Sequence, residues 1–192
     1  MTAIDVHAHF VPPAILDTLA RKGSEYGIRL VEKGAETRCC RFDNGLEVRP
    51  FLAGLLDLDE RIAEMDRQRV QRQILSAWTD IFGYCLDVIR CTAWHGILND
   101  NLATLCASAP ERFSWMASVP LIDAAAAARE LERCVDNGAV GVIVTANVNG
   151  QNLGEVPLDE FWSACESMDL PVFVHPSLPQ PIPRAEKFSL NQ

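Results

Sequence analysis

Pro171-Val172-Phe173-Val174-His175-Pro176 is an apolar run of strand length that ends in an imidazole. A strand covered on both faces has no packing reason to finish in histidine, so His175 marks a strand end turned toward something other than core. Short apolar runs recur upstream at Gly141 to Thr145, Ser114 to Val119, Gln73 to Ala77 and Ala3 to His9, which gives five candidate strands. Stretches of helical period lie between them: Ile62 and Met65; Leu98, Leu102, Leu105 and Cys106; Ala127, Leu131, Cys134 and Val135; Leu158, Phe161, Trp162, Cys165 and Met168. Strands alternating with helices predict an α/β fold around a parallel sheet. Asp59 and Asp123 are placed to cap helices, Asn137-Gly138 to end one in a left-handed turn, and Pro110 and Pro171 to act as stops.

Residues 10–57 break this rhythm with about 48 residues between the first strand and the first well-marked helix. Within them, Arg38 to Phe42 and Leu46 to Pro50 flank Asp43-Asn44-Gly45, a turn chemistry that predicts a β-hairpin. An insertion after a first strand stands where βα-barrel enzymes grip their substrates, so it is a candidate lid or wall.

The chain has 192 residues, 48% of them hydrophobic, which suits a single domain over residues 1–192 with the insertion inside it. A net charge of -9 is the wrong sign for gripping phosphates, so nucleic acid and anionic membranes are poor partners. No apolar run reaches the ~20 residues of a membrane helix, and the opening Met1 to His7 has no signal-peptide pattern. Seven cysteines without a Cys-x-x-Cys pair point to a reduced, cytoplasmic chain, and the adjacent Cys39 and Cys40 to a structural role.

Four histidines are present. His7 and His9 lie two apart on an extended segment, so both project with Asp5 to one face while Ile4, Val6 and Ala8 project to the other. The first and fifth strands of an eight-stranded barrel stand roughly across from each other, with their ends converging at the mouth. His7, His9 and His175 therefore form a candidate metal site, since three neutral imidazoles and a water complete a tetrahedral zinc. Read singly, each could be a satisfied core histidine; three at strand ends argue for ligands. His95, without a partner at ligand spacing, is expected on a helix in a surface or capping role.

Ile4 to His9 and Pro171 to Pro176 resemble the amidohydrolase superfamily. Asp59-Glu60-Arg61-Ile62-Ala63-Glu64-Met65-Asp66, Asn99-Asp100-Asn101-Leu102-Ala103, Pro110-Glu111-Arg112-Phe113 and Glu130-Leu131-Glu132-Arg133-Cys134 narrow the resemblance to the amidohydrolase-2 branch, home of the 2-amino-3-carboxymuconate-6-semialdehyde decarboxylases and related aromatic-acid decarboxylases. The resemblance implies a TIM-like (β/α)8 metal-dependent hydrolase barrel, here incomplete with about five βα units. It also implies one divalent metal, most often Zn2+, on His7, His9, His175 and an aspartate after the eighth strand. The aspartate, and a proton-transfer histidine after the sixth strand, are expected beyond Gln192, so no catalytic residue is assigned. Gly45-Leu46-Glu47-Val48-Arg49 resembles the segment that carries a carboxylate-binding arginine, which makes Arg49 the substrate-binding candidate; the plain alternative is an exposed arginine on a hairpin. Ser177 departs from the aromatic residue usual at that place, which weakens assignment of the substrate.

These readings lead to a metal-dependent carboxy-lyase acting on a small unsaturated or aromatic carboxylic acid. Hydrolysis of an amide, ester or lactone uses the same ligands. A third reading is a metal-binding fragment that needs a partner, because an open five-stranded sheet leaves edges and an apolar face uncovered; a homo-oligomer or a complementing chain would cover them.

Overall fold

A computed structural model describes residues 3–34 and 37–176. Its strands are β1 (Ala3–Phe10), β2 (Ile28–Glu32), β3 (Arg38–Phe42), β4 (Val70–Ala77), β5 (Phe113–Trp115), β6 (Ala117–Ser118), β7 (Val142–Thr145), β8 (Asn147–Val148), β9 (Gln151–Asn152) and β10 (Val172–His175). The α-helices are α1 (Pro13–Lys22), α2 (Leu58–Gln68), α3 (Val88–Ser108), α4 (Ala124–Asp136) and α5 (Asp159–Ser167).

Two parallel sheets, ordered β1-β4-β5 and β10-β7-β6, follow chain order. Met116 is the hinge between them. Its N–H donates to Leu75 O at 2.8 Å, and the next residue, Ala117, donates instead to Gly141 O at 2.9 Å. The predicted strand Ser114 to Val119 is therefore two short strands, one serving each neighbour. The α/β architecture agrees with the sequence reading.

Helices cover the outer face of this curved sheet. α3 shows how its sequence decides its orientation: Cys91, Trp94, His95, Leu98, Asn99, Leu102 and Cys106 recur at helical spacing and are all buried. Burying one such leucine contributes about 1.5–3 kcal/mol. The Trp94 indole N–H donates to Ile81 O at 2.7 Å and pins the helix to the loop after β4. Asp123 caps α4 through Ala126 N, and Gly138 beyond it takes φ +90°, as expected.

Two local expectations are corrected and a third is extended. The cap of α2 is Asp57, which has extended backbone and accepts from Glu60 N, rather than Asp59. Residues 10–57 contain α1, which starts at Pro13 because a proline loses no hydrogen bond in a first turn. The turn at 43–45 does reverse the chain, with Gly45 at φ +89°. The segment after the turn lies back along β3 as expected, through Phe42 N to Leu46 O at 2.8 Å, Val48 N to Cys40 O at 3.0 Å and the bridge Arg41 to Glu47, but the regular antiparallel ladder of β3 is with β2. Pro50 has no N–H to extend the pairing after the turn.

Cys39 and Cys40 are buried and all seven cysteines are free thiols. Among the described residues β1 pairs only with β4, and β10 only with β7. Ile4, Val6 and Val174 are 59%, 52% and 51% exposed, so the outer edges of both sheets carry uncovered apolar side chains.

Candidate functional site

The alternation of β1 buries Ala8 and Phe10 on one side and turns Asp5, His7 and His9 to the other. β10 delivers His175 at its C-terminal end, in register with Thr145. Curvature brings the three imidazoles together. Nε2 of His9 is 3.1 Å from Nε2 of His7 and 3.0 Å from Nε2 of His175. The rings stand nearly edge to face, at 86°, 79° and 68°.

Neighbouring groups fix which nitrogen faces inward. His175 Nδ1 lies 2.5 Å from Pro176 O and 3.4 Å from Thr79 Oγ1. A carbonyl only accepts, so Nδ1 carries the proton and Nε2 presents its lone pair to the shared point. His9 Nδ1 pairs with Ser76 Oγ at 3.0 Å, and Ser76 is its register partner on β4. Burial, followed by the neighbouring His175 and His7, holds His9 down to about 4, and burial lowers His175 as well. Both are thus neutral at neutral pH, the form that ligates metal.

The donor set fits a divalent ion. Zinc bonded to imidazole at about 2.0–2.1 Å needs nitrogens about 3.3 Å apart in a tetrahedron, close to the observed spacing, and all three donor atoms lie within 4.8 Å of one another. Three converging lone pairs without a cation between them would repel.

A polar frame under the triad went unmarked in the sequence reading. Asp5 Oδ1 accepts from His7 N at 3.0 Å and Oδ2 from Gln73 Nε2 at 3.0 Å. Gln73 Oε1 accepts from Arg61 Nη1 at 3.1 Å, while Arg61 Nη2 donates to the carbonyls of His9 and Gly54, each at 2.7 Å. Arg61 thereby ties α2 and the end of the insertion to the strand bearing two of the imidazoles. The available signal was an arginine in the apolar stripe Leu58, Ile62, Met65.

Arg49 reaches the same mouth. Its Nε donates to Asp80 Oδ2 at 2.9 Å, and its guanidinium lies 5.5 Å from the Trp78 ring. A cleft of about 190 Å³, lined in part by Thr79, Asp80, Phe82, Tyr84 and Thr145, opens beside it. Thr79 belongs both to this cleft and to the support of His175. Ser177 lies outside the described residues.

His95 is not on the surface and caps nothing. It is fully buried, with Nδ1 2.9 Å from Ser118 Oγ and its ring stacked on Tyr84. It stands apart from the triad because its neighbours on α3 face the core, and its position on the stripe with Cys91 and Leu98 accounts for its burial.

The family model described as Amidohydrolase (Amidohydro_2) matches residues 4–190. The chain belongs to the amidohydrolase family. This amidohydrolase is 29% identical over 174 residues to 2-amino-3-carboxymuconate-6-semialdehyde decarboxylase of Dictyostelium discoideum, covering 90% of this chain and 48% of that protein. It is 35% identical over 136 residues to gamma-resorcylate decarboxylase of a Polaromonas species, covering 66% and 41%. Among solved structures, dihydroxybenzoic acid decarboxylase from Polaromonas, with bound manganese and the inhibitor 2-nitroresorcinol, superposes with a TM-score of 0.67. The identity there is 25%, over 98% of this chain and 53% of the other. The chain spans about half the length of the curated relatives it matches.

Proposed function

We propose that this amidohydrolase is a metal-dependent carboxy-lyase for a small aromatic or unsaturated carboxylic acid. The convergence of His7, His9 and His175 on one point carries the reading, and decarboxylases of such acids among its relatives support it. When bound, the metal supplies positive charge beside a substrate oxygen as negative charge develops there. Ser76 and the Pro176 carbonyl orient the imidazoles that hold it, and the Asp5, Gln73 and Arg61 frame keeps β1 in place. Arg49 presents a planar guanidinium to the substrate carboxylate.

Zinc is the proposed native metal, because three imidazole donors suit zinc better than manganese, which favours oxygen ligands. No described helix is long and apolar enough to cross a membrane, and the free cysteines fit a reducing cytoplasm. We assign residues 1–192 to one domain, with residues 10–57 as its lid. The uncovered Ile4, Val6 and Val174 favour barrel closure by a complementing chain or a second copy of this one.

The test is carbon dioxide release from 2,6-dihydroxybenzoate and related acids by the chain loaded with zinc or with manganese, beside hydrolysis of an ester, amide and lactone panel. Release that is lost in His7→Ala and His175→Ala supports the proposal. Hydrolysis without decarboxylation, or metal binding with neither activity, overturns it in favour of a hydrolase or of a metal-binding fragment.

A further inference from the structure

Asp80 is the one carboxylate paired with Arg49 among the described residues, and the details of the pairing are informative. The Asp80 side chain is 8% exposed, whereas that of Arg49 is 57% exposed. Asp80 sits in a single 3-10 turn, Thr79–Ile81, directly after β4, and this turn also supplies the Thr79 hydroxyl beside His175. It is therefore fixed to the same backbone as the triad, while Arg49 comes from the insertion. Of the five guanidinium donors only Nε is used, to Asp80 Oδ2. Nη1 and Nη2, the parallel pair that matches a carboxylate, have no hydrogen-bond partner among the described residues.

We propose that Asp80 is a positioning residue. It holds Arg49 by Nε so that the Nη edge is presented to the substrate carboxylate, and its charge cancels enough of the guanidinium's to keep the pair stable in the absence of substrate. Two features of the site point this way. Trp78, one residue before the turn, lies under the guanidinium and restricts it to one plane. A lone carboxylate lining the cleft would repel an acid substrate, and pairing with Arg49 removes that objection. An ion pair that merely occupied Arg49 would engage the Nη fork, the stronger bidentate geometry.

This inference rests on the reading of Arg49 as the carboxylate ligand, and the experiment separates the two. Dissociation constants for 2,6-dihydroxybenzoate and for resorcinol, its counterpart without the carboxylate, are measured on the zinc-loaded parent and variants by stopped-flow tryptophan fluorescence, which reads binding before turnover. The parent is expected to prefer the acid. Arg49→Ala abolishes the preference; if it does not, the Arg49 reading fails whatever Asp80 does. Asp80→Asn and Asp80→Ala are expected to weaken acid binding about tenfold and leave resorcinol binding within a factor of two, with Asp80→Glu recovering part of the loss. Circular dichroism and zinc content identify any variant that has not folded, and the Arg49 Nε–H resonance, expected to broaden in Asp80→Ala, reads the position of the guanidinium without ligand. Unchanged or tighter acid binding in Asp80→Asn, with Arg49→Ala deficient, refutes the positioning role: the carboxylate would then be competing with substrate for Arg49.

Discussion

Replacing His95 with glutamine should flatten the dependence of stability on pH. Burial pushes the His95 imidazole down to about 3 from an ordinary value of 6.5. Its Nδ1 pairs with Ser118 Oγ, and Nε2 is buried without a partner. The folded chain keeps this ring neutral through a range in which the unfolded chain takes up a proton, so protons favour unfolding. The stability this group contributes is full above pH 6.5 and is lost as pH falls through the window toward 3. The slope reaches about 1.4 kcal/mol per pH step of one, which gives about 2 kcal/mol between pH 7 and pH 5. Urea unfolding followed by tryptophan fluorescence at pH 7, 6 and 5 measures it. Carboxylates and the triad titrate in both proteins and cancel in the difference. The parent should lose about 2 kcal/mol more than His95→Gln over that interval; equal losses would mean that His95 is reached by water and protonates freely in the fold, and the burial argument would be refuted.

Three further outcomes are expected. His7→Ala or His175→Ala should weaken zinc binding at least about 100-fold, and Ser76→Ala, which frees only the outer nitrogen of His9, about tenfold, both read by competition with a chromophoric chelator. Asn99→Ala should cost about 3 kcal/mol in denaturant unfolding, because Asn99 bonds Ser118 N and O and the buried Glu130, and truncation leaves those groups unsatisfied. Gly83→Ala should cost about 1–2 kcal/mol, since residue 83 has φ +73° and a Cβ there would stand 2.9 Å from the Leu86 side chain; an unchanged melting temperature would show that the loop relaxes.

What could be read from the sequence was what repeats at the period of the backbone. The mainly apolar runs at 73–77, 141–145 and 171–175 lie within or overlap β4, β7 and β10; β7, buried at every position, shows why, since a strand covered on both faces has little place for polar side chains. Asp123 was legible as a cap because its helix has one acidic candidate at its start, whereas α2 offers Asp57, Asp59 and Glu60 within four positions and only the extended backbone of Asp57 chooses between them. α1 was hidden by Pro12-Pro13, which reads as loop unless the second proline is recognised as a first helical residue ahead of Ile15, Leu16 and Leu19. The turn signal was genuine, since Asp43 to Gly45 reverses the chain onto β3, but it is local and says nothing of the second partner, Ile28–Glu32, which packs beside α1.

The site divides along the same line. His7 and His9 share a face by the twofold period of a strand, so their pairing is local and legible. His175 joins them across 166 positions, and only the topology of a curved parallel sheet, inferred as a class, brings it there. The groups that orient these residues have no such pattern. Ser76, Thr79 and Asp80 lie around the end of β4, interleaved with Ala77 and Trp78, and nothing in their spacing marks them. Their roles come from what stands opposite: His9 for Ser76, His175 for Thr79, Arg49 for Asp80. One strand end thus holds the outer nitrogen of one imidazole, supports a second and directs a guanidinium. Any displacement of β4 should therefore disturb metal affinity and carboxylate binding together, whereas a change confined to Arg49 and its neighbours in the insertion should reach only the second.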